Sequence, residues 1–79
     1  MKVFVIEYGN VDMVDETLDG IYANKKLAHA AAVKAAEEAR DGMGDEDYVV
    51  EQTKDLVSVV AYDEPCDWWR ITEKKVIEK

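Results

Sequence analysis

DGIYANKKLAHAAAVKAAEEARDG, residues 19 to 42, is the stretch that decides the fold. It opens on the turn pair Asp19-Gly20 and a short run, Ile21-Tyr22-Ala23, whose β-branched and aromatic side chains suit the end of a strand. Asn24 then changes the period. Its side-chain carbonyl can accept from a free backbone N–H of a first helical turn, which predicts an N-cap and a helix from about Lys25 to Arg40. Gly42 is the expected C′ residue, because glycine takes the left-handed conformation without a Cβ clash. Ala28, Ala31, Ala32, Ala35 and Ala39 recur at spacings of three and four and so share one face, with Leu27 at its edge. A face made of methyl groups lets a helix lie close to a sheet. The opposite side, with Lys26, His29, Lys34, Glu37, Arg40 and Asp41, is expected to be solvated.

Outward from this helix the pattern is that of strands. Lys2 to Tyr8 carries Val3 and Val5 on one side and Phe4, Ile6 and Tyr8 on the other, as an interior strand would. An acidic loop, Gly9 to Leu18, joins it to the strand that ends at Ala23. Beyond the helix, Tyr48 to Thr53 and Leu56 to Tyr62 read either as two strands with a hairpin at Lys54-Asp55 or as one bent strand. Asp63 to Asp67 reads as a turn, since Pro65 cannot donate to a ladder. Trp68 to Ile77 closes the chain as a strand whose charged outer half suits a sheet edge. The predicted fold is α+β: an antiparallel sheet of four or five strands with one Ala-faced helix on one face (ββαββ or ββαβββ). One such helix covers about two strands at a spacing of about 4.8 Å, so the two-sided apolar strands predict a second, uncovered face that a copy of the chain or another protein hides.

The 79 residues make one small domain, 1–79, near the lower size limit for independent folding, and self-association into a homodimer is expected to help it. The run Val3-Phe4-Val5-Ile6 is too short for a signal peptide and nothing is long enough to span a bilayer, while Cys66 is the only cysteine. The expected location is the cytoplasm. The net charge is −8, and residues 41–67 hold nine carboxylates against the single Lys54. Direct binding to nucleic acid or to an anionic membrane is therefore disfavoured, because both need clustered cations.

Three stretches, MKVFVIEYG, DGIYANKKLAHAAA and WWRITEKKVI, give the chain a resemblance to the small, mostly uncharacterised proteins of phage and prophage genomes. Members usually carry Ser or Thr where Asn24 begins the helix, a chemically equivalent cap. The resemblance implies a ββαβ-type fold and a phage-like setting, the host cytoplasm, and it brings no catalytic residues.

No phosphate-cradling glycine loop, nucleophile motif or metal signature is present, so an enzyme is not expected and no cofactor is implied. Asp15-x-Thr17-x-Asp19-Gly20 mimics half of a calcium loop, but Lys26 stands where the bidentate Glu is needed. His29 has no partner at ligand spacing and reads as a surface residue. Cys66 lies among acids, which disfavour its thiolate. The residues expected to meet a partner are the carboxylates Asp41, Asp45, Glu46, Asp47, Asp63, Glu64 and Asp67, together with Trp68 and Trp69. Adjacent strand residues point to opposite faces, so one tryptophan enters the core under the helix and the other faces the uncovered side; alternatively both are core aromatics. The expected function is a protein-interaction module that presents its acids to a basic surface of a host protein, as an inhibitor mimicking nucleic acid. The alternatives are a homo-oligomeric accessory protein and, less favoured, a small enzyme or metal protein.

Overall fold

The computed structural model describes residues 1–43 and 47–76. The element order is β1 (Lys2–Asn10), β2 (Thr17–Tyr22), α1 (Lys25–Met43), β3 (Tyr48–Gln52), β4 (Leu56–Ala61) and β5 (Glu64–Lys75). The strands form one antiparallel sheet in the order β2-β1-β5-β4-β3, with α1 on one face, so the α+β architecture is of the ββαβββ kind.

Helix α1 starts where Asn24 predicts. The Leu27 amide, a donor with no partner within the helix, donates to Asn24 Oδ1 (2.9 Å), and the Asn24 carbonyl accepts the first helical hydrogen bond, from the Ala28 amide (3.2 Å). At the other end the helix continues past Arg40 to Met43, so Gly42 is a helical residue and not the C′ terminator. Ala28, Ala32 and Ala36 are fully buried, with Ala31, Ala35 and Ala39 beside them. The face is thus rotated toward Ala36, and Leu27 is left 54% exposed. Small side chains on the helix meet large ones from the sheet, namely Ile6, Val57, Val59, Trp69 and Ile71. Each of these larger side chains contributes about 1.5–3 kcal/mol on full burial.

Contrary to the expectation that one helix covers about two strands, α1 contacts all five. Its 19 residues give an axis of about 28 Å, long enough for Lys25 and His29 in its first turns to meet the 53–55 hairpin and for Ala35, Glu38 and Ala39 to lie beside Tyr8, Asp19 and Trp69. The opposite face stays open: the chain is only 18 Å deep along its shortest axis, the depth of one helix on one sheet.

Several strand boundaries depart from the sequence reading, while of the two arrangements it offers for residues 48–62 the hairpin is the one formed. The acidic loop shrinks to residues 11–16, because β1 extends to Asn10 and β2 begins at Thr17. Residues 53–55 do form a hairpin, whose Thr53 amide donates to the Leu56 carbonyl (2.8 Å). The turn expected over Asp63 to Asp67 is just Tyr62-Asp63, flanked by the pair Ala61↔Glu64. Both turn residues have positive φ (54° and 65°), the requirement of a two-residue hairpin turn, although neither is glycine. Tyr62 is held there by its hydroxyl, which donates to Asp47 Oδ2 at 2.8 Å. Pro65 then sits inside β5 next to a register shift, the place where a missing N–H is tolerated.

Strand β5 is central, not an edge as its charged end suggests. Leu56, the first residue of β4, pairs with Arg70, so beyond Ile71 β5 has only β1 beside it. The charged run Glu73-Lys74-Lys75 is a local edge on a central strand, and the two true edges are β2 and β3.

Candidate functional site

The two tryptophans separate as pleating requires. Trp69 faces the helix, is 5% exposed and packs on Tyr8 with ring centroids 5.1 Å apart. Trp68 faces the open side, half-buried. It lies against Gly9, its cross-strand partner, so closely that a Cβ at Gly9 would stand 2.6 Å from Trp68 Nε1. Its indole N–H donates to Glu16 Oε2 (2.8 Å), and the Arg70 Nε–H reaches both oxygens of the same carboxylate at 3.2 Å. Glu16 comes from the 11–16 loop, so this loop is tied back onto the open face. The loop's signal is present in the sequence only as one more acid in an acidic stretch, and nothing in its spacing marks Glu16.

Beside Trp68 runs a groove of about 340 Å³ whose lining includes Leu56, Val60, Pro65 and Trp68, with Glu51 and Asp63 also carboxylate-bearing members. The rest of the open face adds Val3, Val5, Leu18, Ile21 and Val49; Leu18 and Ile21 are each at least 60% exposed. Val3, Val5, Leu56 and Trp68 are half-buried and Val60 is 7% exposed, while the exposed apolar side chains of this face lie on its two edges, Leu18 and Ile21 on β2 and Val49 on β3.

Of the expected partner-facing acids, Asp41, Asp47, Asp63 and Glu64 are exposed. Asp45 and Glu46 lie outside the described residues. Asp67 is not a surface acid: it is 9% exposed and accepts the Tyr8 hydroxyl proton at 2.7 Å, while Asn10 Nδ2 donates to the Tyr8 oxygen (3.1 Å). Burial holds the Tyr8 phenol above its usual range, the Asn10 donor lowers it, and the Asp67 carboxylate raises it further. Asp67 and Trp69 are therefore inward-facing residues, unavailable to a partner.

Topology collects the charges. Strand β1 runs away from Lys2 and β5 runs back toward Lys75, so the 11–16 loop, the Tyr62-Asp63 turn, the start of β3 and the end of α1 lie at one end of the sheet. That end carries Asp12, Asp15, Asp41, Asp47, Asp63 and Glu64. The other end carries Lys2, Lys25, Lys26, Lys54, Lys74 and Lys75, with Glu73 paired to Lys2 and Asp55 to Lys25. Helix α1 has no acid in its first turn, where Lys25 and Lys26 add to the positive end of the macrodipole, while at its C-terminus Arg40 opposes the dipole and pairs with Asp41 at 3.4 Å. The two lysines at its start do not serve helix stability.

A shallow depression of about 590 Å³ at the basic end is lined by Lys25, Lys26, His29, Ala30 and Lys54. Its cationic groups are partly engaged: Lys25 pairs with Asp55, which lowers the Asp55 carboxyl pKa, and His29 Nε2 donates to the Thr53 carbonyl at 3.0 Å. His29 is thus half-buried at a hairpin, not a free surface residue. Asp15, Thr17 and Asp19 form no calcium loop, since Thr17 to Tyr22 is strand. Among the described residues no three metal-ligating side chains come together, and no helix is long and apolar enough to cross a membrane. Comparison with family models, with curated proteins and with solved structures gives no match to this chain.

Proposed function

We propose that this chain is a non-catalytic protein-interaction module of phage type, working in a host cytoplasm, whose acidic end engages a basic surface of a host protein as nucleic acid would. The observation that carries the reading is the segregation of charge. Exposed carboxylates from four separate chain segments gather at one end of the sheet, where they repel one another and have only Arg40 of the last helical turn among them as a counter-charge. An arrangement with that local cost suits long-range attraction of a cation-rich partner. The uncovered sheet face, with Trp68 and its groove, supports a second element of the same reading: the module acts as a homodimer. If no external target exists, that face favours a homo-oligomeric accessory protein instead.

The test uses a charge-neutral variant, Asp47→Asn with Asp63→Asn and Glu64→Gln. These positions are exposed, and the amide oxygen of an asparagine at 47 still accepts from the Tyr62 hydroxyl, so its melting temperature should stay level or rise slightly. Its association with a DNA-binding host protein captured by the parent chain should slow, and the difference should vanish with added salt, because exposed charges are screened beyond about 8 Å at physiological ionic strength. DNA should compete with the parent chain for that partner. Capture that is indifferent to salt, to DNA and to the variant would remove the mimicry reading.

A further inference from the structure

We infer that the groove beside Trp68 takes the guanidinium of an arginine side chain presented by another protein, with Ser58 and Glu51 as its acceptors. This deepens the interaction reading above by naming the group recognised, and it is testable without the host protein. The observation that carries it is a hydroxyl without a partner. Ser58 is only 8% exposed, yet its Oγ makes no hydrogen bond among the described residues. No fully enclosed side-chain polar atom of those residues lacks a partner, so the Ser58 hydroxyl keeps an opening of its own, and that opening is the groove it helps to line. A polar group so nearly buried costs stability until something in the groove bonds to it.

The sheet register builds the site around that hydroxyl. Glu51, Ser58 and Trp68 are cross-strand neighbours in one rung of the open face. The small serine leaves a gap between two larger side chains whose strands lie about 10 Å apart, two strand spacings. Leu56 and Val60 line the groove on either side of Ser58 along β4, and Asp63 stands at the acidic end. Neither Glu51 nor Asp63 has an ion pair or side-chain hydrogen bond among the described residues, whereas Arg70, toward the other end, is already tied to Glu16. The uncompensated charge of the groove is therefore negative, and its occupant is a cation. A guanidinium suits these groups better than an ammonium. Its planar fork donates to a carboxylate and a hydroxyl together, its weakly hydrated plane rests against an aromatic wall, and its alkyl stem covers Leu56 and Val60. The groove, about 340 Å³, lies on one open sheet face and is near the lower size limit of ligand pockets, so the group arrives on a larger body that covers the rest. The chain's own arginines, Arg40 and Arg70, are each paired with an acid of the same chain, so that body is a different protein.

Titration of the isotope-labelled full chain with the blocked tripeptide acetyl-Ala-Arg-Ala-amide, read by amide and indole NMR shifts, tests the site; the lysine and citrulline versions of the peptide are the comparators. The expected result is saturable shifts at Glu51, Ser58 and the Trp68 indole N–H with a Kd of about 1 mM, as suits a single anchoring group. The lysine peptide should bind about tenfold more weakly, and the uncharged citrulline peptide should leave the groove unchanged. Ser58→Ala removes only an unpartnered hydroxyl, so its melting temperature should not fall, while the Kd for the arginine peptide rises about tenfold. Glu51→Gln, at an exposed position, should also raise that Kd about tenfold. Absence of saturation, a Kd indifferent to both substitutions, or a lysine peptide bound as tightly as the arginine one overturns the inference. Shifts confined to Asp12, Asp15 and Asp41 overturn the groove site and leave the charge-segregation reading standing. Arginine binding in the groove of a chain that captures no cation-rich host protein supports the site and removes the mimicry reading instead.

Discussion

Gly9→Ala is a substitution whose sign the structure sets against ordinary propensity. The glycine has no left-handed φ, and removing its conformational freedom from the unfolded chain should by itself stabilise by about 0.4–1 kcal/mol. The new methyl carbon, however, would lie 2.6, 2.7 and 2.9 Å from Nε1, Cε2 and Cζ2 of Trp68. The ring has to move, and with it goes the indole N–H donated to Glu16 at 2.8 Å. A hydrogen bond to a charged group is worth about 1.5–3 kcal/mol, at the lower end here because the pair is only half-buried. The net is a destabilisation of about 1 kcal/mol, or about 4–8 °C in melting temperature for a chain of this size. In a Trp68→Val background the obstacle is gone, and the same Gly9→Ala should stabilise by about 0.5 kcal/mol. Urea unfolding of the four proteins gives the cycle, and tryptophan fluorescence of the Gly9→Ala protein should report the displaced indole. If Gly9→Ala destabilises equally with and without Trp68, the close approach of ring to backbone is not what glycine serves at this position.

Ala32→Leu should overpack the fully buried helix–sheet contact and destabilise by about 1–3 kcal/mol in thermal or urea unfolding, whereas Ala30→Leu, on the exposed side, should change little. Asn24→Ala removes the cap to the Leu27 amide and should cost about 1 kcal/mol, with Asn24→Ser nearly neutral; equal loss in both would place the effect elsewhere. The raised Tyr8 pKa favours the neutral phenol in the folded state, so its contribution is fully present below the unfolded pKa of about 10 and is lost as pH rises through the folded value. The alkaline fall in stability should therefore be shallower in Tyr8→Phe, and tyrosinate absorbance of the parent should show one late-titrating phenol.

Periodicity made the helix and the sheet class readable because burial acts through side-chain spacing. The Ala face lies against the sheet, and Trp68 and Trp69 divide between faces as alternation demands. What spacing does not encode is which strands become neighbours. The charged tail of β5 suggests an edge because sequence shows the charges but not that β4 begins only opposite Arg70, leaving Glu73 to Lys75 beyond it. Likewise Asp67 looks like one more surface acid, and only the fold brings Tyr8 from the other end of the chain to its carboxylate. The 62–63 turn escaped a glycine-based reading because a tertiary hydrogen bond, Tyr62 to Asp47, holds a tyrosine where local preference would put glycine or asparagine. The groove on the open face was foreseeable as excess apolar surface, while the Glu16 tie that organises Trp68 required the loop's path.

The central position of β5 governs the order in which the molecule can be made. Of the five strands of the sheet, the one that comes last in chain order sits in the middle and pairs with the first along the whole length of β1, from Lys2↔Lys75 to Asn10↔Asp67. While the chain is emerging, β1–β2 and β3–β4 can close as local hairpins, each with the flank that faces β5 unpaired and with Trp69 and Ile71 missing from the hydrophobic layer under α1. Only the arrival of β5 joins them, and that closure spans nearly the whole described chain, so it is slow and cooperative compared with the hairpins. A ribosome-bound intermediate is thus two sticky half-sheets on one helix, and loss of the C-terminal strand removes the seam between them, not a margin.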